Sequence, residues 1–244
     1  MTRLYVGTAG WAIPRAASHR CEGNGTHLQR YARVFTCAEI NSSFHRPHAP
    51  GTYARWAAST PAEFRFSVKV PKEITHVLRL RQSRTALERF LWETSALGCK
   101  RGPLLVQLPP SFEFDRRVVG RFLSLLRSMY EGLIAFEPRH HSWFDGAATL
   151  LADYQVARVA ADPACVPAAG VPGGWPGLVY YRLHGSPRRY WSSYSDQDLG
   201  AISASLSGHR GDVWCVFDNT AAGAALENAF QLKQRMRGHL RHDL

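Results

Sequence analysis

The segment Leu178-Val179-Tyr180-Tyr181-Arg182-Leu183-His184 is a run of apolar, β-branched and aromatic residues that ends in polar side chains. Such a run is typical of a buried strand in a parallel sheet. Seven more runs of this kind occur, and the eight follow one another at an average spacing of about 30 residues, the size of one βα unit. The other seven span residues 4–6, 38–41, 65–70, 104–108, 133–137, 156–162 and 213–218.

The segments between these runs carry helical patterns. Apolar residues in segment 87–97 recur on one face with the helical period, as in a helix packed on a sheet. Asp115 and Ser195 are predicted to cap later helices, and Ser195 forms a capping-box pattern with Asp198. Segment 163–176 is the exception, because its many Pro, Gly and Ala residues indicate an irregular crossover.

Alternating strands and helices predict a parallel sheet, and eight units are the number that closes into a barrel. We therefore predict an α/β fold with one domain over residues 1–244, a (β/α)8 TIM-type barrel with an irregular connection after strand six. An open doubly wound sheet is the alternative. The chain has neither a G-x-G-x-x-G motif after the first strand nor a P-loop motif, so no dinucleotide or P-loop site is indicated.

Composition narrows the class of protein further. The 244 residues contain no apolar run of membrane-spanning length and no basic-plus-apolar leader, so we expect a cytoplasmic protein without membrane contact. Five scattered cysteines without a C-x-x-C pair indicate reduced thiols. The net charge of +11 favours anionic ligands and permits contact with nucleic acid. The oligomeric state is left open.

Polar side chains concentrate at the predicted carboxyl ends of the strands, where barrel proteins place their ligand sites. Because side chains alternate along a strand, three of these strands each direct a pair of polar residues inward. The inward pairs are Glu39 with Asn41, Glu137 with Arg139, and Arg182 with His184. The remaining strand-end candidates are Lys69, Gln107, Asp162, Asp218 and Asn219.

Two explanations account for charges in such apolar strands. Burying an unpaired charge costs several kcal/mol, so the groups either pair with one another or meet a ligand. Glu39 with Arg182, or Glu137 with Arg139, are the candidate internal pairs. The clustering at strand ends favours a ligand site for the set as a whole.

Two candidates come from loops after strands. His76 closes the segment 71–76 and can bring an imidazole over the barrel mouth, although capping a helix or facing solvent is the alternative. Trp11 is one of several aromatic residues that follow strand ends and can form a ring-stacking wall, with core packing as the alternative.

The chain resembles the YecE-like family, domain of unknown function 72, through ordered motifs that span nearly its whole length. They are GTAGW (7–11), EINSSF (39–44), FSVKVP (66–71), QLPP (107–110), FEPRH (136–140), ADP (161–163), RLHG (182–185) and FDNT (217–220). The resemblance implies a TIM-type barrel and supplies no reaction. Segment 12–25 and His45 depart from the family pattern near the expected mouth, and such loop changes alter ligand preference without touching the core.

The leading functional hypothesis is an enzyme, a hydrolase or isomerase, that performs acid/base chemistry on a small anionic and phosphorylated, sugar-like substrate. Two carboxylates in different surroundings can serve as proton donor and acceptor, and Arg suits bidentate capture of an anion. The catalytic candidates are Glu39 and Glu137 as acid and base, His76 or His184 as proton shuttle, and Asp218. The substrate-binding candidates are Arg139 and Arg182 on the anion, with Trp11, Asn41, Lys69, Gln107, Asp162 and Asn219.

Two other classes remain open. No cofactor is predicted, but a divalent metal is possible, because several of the acids and His184 are suitable ligands. Lys69, Arg139 and Arg182 nearby would oppose a cation there. The third class is a nucleic-acid-binding or -processing protein that uses the basic surface.

Overall fold

The computed structural model of the chain describes residues 3–209 and 211–242. Those residues form ten strands: β1 (Leu4–Ala9), β2 (Cys37–Ile40), β3 (Arg65–Lys69), β4 (Arg101–Gln107), β5 (Ile134–Glu137), β6 (Val156–Arg158), β7 (Ala160–Asp162), β8 (Gly173–Gly174), β9 (Leu178–Leu183) and β10 (Asp212–Phe217). The α-helices among them are α1 (His27–Ala32), α2 (Pro50–Ala58), α3 (Arg84–Ser95), α4 (Arg116–Arg127), α5 (Ala147–Asp153), α6 (Asp196–Ser207) and α7 (Ala224–His242).

All ten strands belong to one sheet in the order β7-β9-β10-β1-β2-β3-β4-β5-β6-β8. Every neighbouring pair is parallel except β6 with β8. Strands β6 and β7 follow each other in the chain, yet β7 begins this order while β6 and its short partner β8 end it. The fold is therefore α/β with a mostly parallel, nearly closed, barrel-like sheet.

The strand count differs from the predicted eight, and the difference lies in the sixth predicted run. That run is divided at Val159, so that β6 pairs with β5 while β7 pairs with β9. The added strand, β8, lies in the segment predicted to be irregular, together with a 3-10 turn at Pro167–Gly170. The segment is too rich in Pro and Gly to form the α-helix that follows most of the other strands.

The predicted helix caps are confirmed. The Asp115 carboxylate accepts hydrogen bonds from the backbone N–H groups of Arg117 and Val118 at the start of α4. Ser195 and Asp198 form the capping box that begins α6. Each cap satisfies backbone donors that lack a partner within the helix, which fixes where the chain turns from strand to helix.

Apolar side chains form one layer on each face of the sheet. The outer layer packs the helices on the strands, and the inner layer fills the barrel. The inner layer includes Tyr5, Leu105, Ala135, Tyr180 and Trp214, and the Tyr5 and Trp214 rings stack with their centroids 4.6 Å apart. Because inward positions recur every second residue, the next inward residues along the strands lie directly above this layer, at the carboxyl end. After Leu105, Ala135 and Tyr180 these next residues are the polar Gln107, Glu137 and Arg182.

Among the described residues, no helix combines the length and the apolar character that crossing a bilayer requires.

Candidate active site

Arg182 lies at the centre of the polar layer and is completely buried. Its Nε and one terminal nitrogen donate to the two carboxylate oxygens of Glu39 at 2.9 and 2.7 Å. The other terminal nitrogen donates to Glu137 Oε2 at 3.1 Å, and Asp218 Oδ2 lies 3.0 Å from the guanidinium. One guanidinium therefore holds three carboxylates, and its strong donors leave none of them unpaired in the interior.

Four different strands of the sheet, or their ends, supply these groups. Glu39 comes from β2, Glu137 from β5 and Arg182 from β9, and Asp218 directly follows β10. They meet because each side chain points into the barrel near the carboxyl end of its strand. Below them, the Tyr180 hydroxyl lies 3.0 Å from Glu39 Oε2, to which it can donate, and 2.9 Å from Ser67 Oγ. This pair joins the ionic layer to the apolar layer beneath.

His184 lies between two of the same carboxylates. Its Nδ1 is 3.0 Å from Asp218 Oδ2, and its Nε2 is 2.9 Å from Glu137 Oε1. Ionised carboxylates only accept hydrogen bonds, so each ring nitrogen that carries a proton can donate to the carboxylate it faces. Arg139 also approaches Nε2, at 3.2 Å, so this nitrogen faces both a carboxylate and a guanidinium.

Arg139 is the more accessible arginine of the layer. Its Nε and one terminal nitrogen donate to Glu137 Oε1 at 3.1 and 3.0 Å, and the other terminal nitrogen donates to the Tyr190 hydroxyl at 3.2 Å. The Arg139 side chain is 12% exposed, whereas that of Arg182 is fully covered. Arg139 therefore connects the buried cluster to the mouth of the barrel.

The surrounding charges keep two of the acids ionised. Burial acts to raise the pKa of Glu137, but the charges of Arg139, Arg182 and His184 outweigh it and hold this pKa well below the ordinary range. Burial opposes ionisation of Asp218 in the same way, and Arg182 together with the His184 hydrogen bond lowers its pKa overall. Both groups are carboxylates at neutral pH.

Lys69 and His76 lie beside the cluster, and both contact the Phe44 ring. Lys69 is buried, and its Nζ is 4.1 Å from the ring centre. The His76 ring meets Phe44 edge-on with centroids 5.0 Å apart, and its Nδ1 is 2.9 Å from Thr75 Oγ1. Burial, and next the charge of Lys69, lower the pKa of His76 to about 4, so this ring is neutral near pH 7.

A cavity of about 180 Å³ opens against one side of the cluster. Glu137, Arg139 and His184 form its polar wall, and Arg189 from the loop after β9 adds a further positive charge. The remaining wall comes mainly from the irregular segment that follows β7, including Pro163, Cys165 and Ala169. A charged, preorganised wall beside a small hollow is typical of a site for a small polar ligand.

Three amide candidates occupy different positions. Gln107 is buried beside Glu137 in the strand register, and its amide has no hydrogen bond to any described residue. Asn41 has a buried Oδ1 without a partner in the described part of the chain. The Asn219 amide donates to the Ser192 carbonyl and to Asn228 Oδ1, both at 2.9 Å, so Asn219 secures the loop after β9.

Asp162 and Trp11 are not brought to the cluster. Asp162 pairs with Leu183 in the register and faces outward, where its Oδ2 accepts a 2.6 Å hydrogen bond from the Tyr194 hydroxyl. Trp11 packs edge-on against Trp56 and Phe66 and lines a separate groove of about 670 Å³. Six of the remaining candidates contact one another in the ionic cluster: Glu39, Glu137, Arg139, Arg182, His184 and Asp218.

Sequence reasoning missed Tyr180 and Ser67 as parts of this layer. A signal for both was present, because Tyr180 precedes Arg182 by two residues and Ser67 precedes Lys69 by two. The same period shows why Asp162 faces outward. Ala157 and Val159 lie in the inner layer, so the next inward position is Ala161.

The fold and the site together define a barrel-like α/β protein with a buried ionic cluster at the carboxyl ends of its strands. The profile of the protein family of unknown function DUF72 matches residues 5–243, so the chain belongs to that family. The resemblance seen in the motifs is thereby confirmed.

Similar proteins agree with this membership. UPF0759 protein YecE of Escherichia coli is 32% identical over 109 residues, which cover 45% of this chain and 39% of YecE. UPF0759 protein YunF of Bacillus subtilis is 25% identical over 158 residues, 58% of this chain and 52% of YunF. The matches thus span about two fifths to one half of the length of these relatives.

Crystal structures of DUF72 family proteins share the fold. One from Enterococcus faecalis superposes with a TM-score of 0.81 at 21% identity, over 97% of this chain and 96% of that one. Another from Thermotoga maritima gives 0.79 at 25% identity, over 96% of this chain and 99% of that one.

Proposed function

We propose that the protein is an enzyme performing acid/base chemistry, hydrolysis or isomerisation, on a small anionic substrate bound in the cavity beside Glu137, Arg139 and His184. One observation carries the proposal: an imidazole ring held between two carboxylates lines this hollow together with two arginines. A preorganised proton donor next to positive charge is what acid/base attack on an anionic compound requires. We also interpret the ten-stranded sheet as a single eight-unit barrel domain whose sixth strand is divided.

In this proposal His184 is the proton donor, and Glu137 and Asp218 orient it. Arg139 binds the anionic group of the substrate, because its outer terminal nitrogen contacts only the neutral Tyr190 hydroxyl among the described residues. A phosphate or carboxylate oxygen would replace that contact with a stronger, charge-assisted hydrogen bond. Arg189, which lines the same cavity, supplies a second positive charge.

Glu39 and Arg182 receive positioning roles instead of the proton-transfer and anion-binding roles considered from the sequence. Both side chains are fully buried, and the Arg182 guanidinium forms an ion pair with the Glu39 carboxylate. Neither can touch a ligand in the cavity without breaking that pair. Their contribution is to hold Glu137 and Asp218 in the positions from which those carboxylates orient His184.

Thermal stability in inorganic phosphate tests the anion site. Because a ligand that binds the folded state raises the melting temperature, phosphate should stabilise the protein more than chloride at equal ionic strength. Arg139→Gln should abolish this difference, whereas Arg116→Gln, on the exposed surface of α4, should preserve it. An equal phosphate effect in both variants contradicts the assigned site.

A panel of phosphatase, glycosidase and sugar-isomerase substrates tests turnover. Positioned proton transfer contributes about 10²- to 10⁴-fold to rate. His184→Gln should therefore lower kcat by that factor on any substrate turned over by the parent protein, with circular dichroism confirming the fold. A kcat unchanged in His184→Gln removes His184 as the proton donor.

A divalent metal is the second enzymatic possibility from the sequence, and the donor set argues against it at this position. The Arg182 guanidinium lies among Glu39, Glu137 and Asp218, and its positive charge opposes a cation there. Elemental analysis of protein purified without chelator tests the alternative directly. If the protein contained a stoichiometric metal, metal-assisted hydrolysis would replace the proposed mechanism.

Nucleic-acid binding is supported as a second candidate function by one feature of the loop after β9. The Arg188 guanidinium lies 4.4 Å from the centre of the Trp191 ring, and that tryptophan is 46% exposed. An exposed aromatic ring beside arginine is a platform on which an unpaired base can stack while the phosphates meet positive charge.

A further inference from the structure

Lys69 is a buried amine without a counter-ion. It is the last residue of β3 and pairs in register with Leu105 of the inner layer, so its side chain points into the barrel. The side chains of Glu39, Glu137 and Asp218 are bound by Arg182, Arg139 and His184, and no carboxylate of the described residues lies within ion-pair distance of Lys69 Nζ. The contact that its Nζ does make is with the Phe44 ring.

This position favours the neutral amine. Burial is the main cause, and the nearby Arg182 charge adds to it, so the pKa of Lys69 is lowered to about 8. An exposed lysine has a pKa of about 10.4, so at neutral pH Lys69 has roughly a hundredfold larger fraction of free amine than an exposed lysine. The free amine is the form of lysine that attacks carbonyl carbon.

A proton carrier lies next to this amine. His76 contacts the same Phe44 ring as Lys69, and its Nδ1 lies 2.9 Å from Thr75 Oγ1. Its Nε2 has no hydrogen bond to a described residue, and the ring is uncharged near neutral pH, so Nε2 can accept a proton. The positive charges of Lys69 and Arg139 are among those that lower the pKa of His76.

We propose that Lys69 is a nucleophile that forms an imine with the carbonyl group of an aldehyde or ketone substrate. The amine lone pair forms a bond to the carbonyl carbon, the π electrons move to oxygen, and a proton passes from nitrogen to that oxygen. The resulting carbinolamine loses the oxygen as water after a second protonation, which leaves a C=N bond to Lys69. The step needs no oxidant, reductant or co-reactant.

The imine deepens the proposed function and rests on it for the anionic group of the substrate. A protonated imine withdraws electrons from the adjacent carbon, which makes a proton on that carbon easier to remove. Acid/base groups beside such an imine can therefore move that proton, as an isomerisation requires. The substrate class is a small aldehyde or ketone with a phosphate or carboxylate group that reaches Arg139.

Reductive trapping tests the inference by comparing Lys69 with the other lysines of the same protein molecule. Reduction with borohydride converts an imine into a stable secondary amine that mass spectrometry locates by peptide mapping. The chain has four lysines: Lys69, Lys72, Lys100 and Lys233. With glyceraldehyde 3-phosphate as the probe at pH 7.5, we expect Lys69 to be modified at least about tenfold faster than the exposed Lys72, because of its larger fraction of free amine.

Two variants and a second probe complete the experiment. Lys69→Arg should remove the fast adduct, whereas Lys72→Arg should leave it unchanged. Uncharged glyceraldehyde should modify Lys69 more slowly than its phosphate ester. Modification of Lys69 at the rate of Lys72 in the parent protein overturns the inference, and this comparison does not depend on how any variant folds.

The two proposals fail in distinguishable ways. If phosphate stabilises the protein through Arg139 but Lys69 is not trapped, the anion site stands and the imine is wrong. If Lys69 is trapped equally fast with the charged and the uncharged probe, and Arg139→Gln has no effect, the nucleophile stands and the anion site is wrong.

Discussion

Arg182 is the residue around which the candidate site is built. It is fully buried and meets carboxylates from three separate parts of the sheet. Three acids brought together without it would repel one another, and Glu39 would lose the cation with which it pairs. The arrangement is therefore sensitive to this one side chain, even though it does not reach the cavity.

The first prediction concerns the stability that this arginine supplies. Arg182→Met leaves three buried carboxylates without their shared cation and should lower the free energy of unfolding by about 3–5 kcal/mol. Arg84→Met is the control, because Arg84 forms an exposed ion pair with Glu88. An exposed helical pair of this kind contributes less than about 0.5 kcal/mol. Urea denaturation measures both, and equal losses would contradict the central role of Arg182.

The second prediction concerns pH and Glu137. Because the folded-state pKa of Glu137 is depressed, the stability that it contributes is complete above its unfolded value of about 4.3 and is lost as the pH falls through the folded value. The unfolding free energy of the parent protein should therefore be higher than that of Glu137→Gln, and the difference should be largest at pH 7. The difference should become smaller below about pH 4.

Urea denaturation at a series of pH values between neutrality and about 3 measures that difference. Glu63→Gln is a suitable control, since Glu63 is exposed and has no ion pair among the described residues. Its difference from the parent should be small at every pH. A Glu137→Gln difference that is independent of pH would show that the carboxylate charge does not stabilise the fold.

Much of the residue set can be predicted from the strand period. Glu39, Glu137 and Arg182 occupy inward positions at strand ends, and alternation suffices to place them there. The contacts across the barrel cannot be read from the sequence, because they depend on how far each strand is shifted along its neighbour. From the sequence, these charges either pair with one another or line a ligand site. The structure contains both candidate ion pairs, Glu39 with Arg182 and Glu137 with Arg139, and it also has a cavity beside them.

At the scale of elements, one interruption accounts for most of the departure from the expected pattern. A continuous sixth strand would pair with both β5 and β9, but the break at Val159 assigns these partners to β6 and β7 separately. The sequence gives no turn residue at Val159, so local reasoning merges the two pieces. Where caps are built from neighbouring residues, as at Asp115 and Ser195, local reasoning succeeds.

The third prediction concerns the attachment of the loop after β9 to α7. Buried Asn228 of α7 accepts hydrogen bonds from Asn219 Nδ2 and from the Tyr194 backbone N–H, and it donates to the Tyr194 carbonyl. Asn228→Ala leaves these buried groups unsatisfied and should cost about 2–4 kcal/mol. Asn24→Ala, at an exposed turn, should cost little.

Amide hydrogen exchange supplies a second readout for this variant. The Tyr194 N–H should exchange faster in Asn228→Ala, because it loses its acceptor, while amides in β4 should change only through global stability. Unchanged protection at Tyr194 would mean that the loop is secured by other contacts.

At the scale of the whole molecule, the net charge of +11 and the exposed loop after β9 bear on nucleic acid. The fourth prediction is that a single-stranded oligonucleotide binds with an affinity that falls steeply with salt, because bound phosphates release counterions. Trp191→Ala should weaken this binding by about 1–3 kcal/mol, the value of one stacked base.

Trp92→Ala is the matched control for this prediction. Trp92 is 65% exposed on α3 and has no arginine stacked on its ring among the described residues. Fluorescence anisotropy over a range of salt concentrations measures all three proteins. Equal weakening by the two substitutions, or a flat dependence on salt, contradicts a specific platform at the loop after β9.

The two walls of the cavity come from parts of the chain with different freedom to change. Glu137, Arg139 and His184 are interlocked with strands and with Arg182, so exchanging any of them disturbs the whole ionic layer. The facing segment after β7 contributes only the short β8 to the sheet ladder. A change in the length or sequence of this segment would therefore alter what the hollow admits while the three charged groups stay in place.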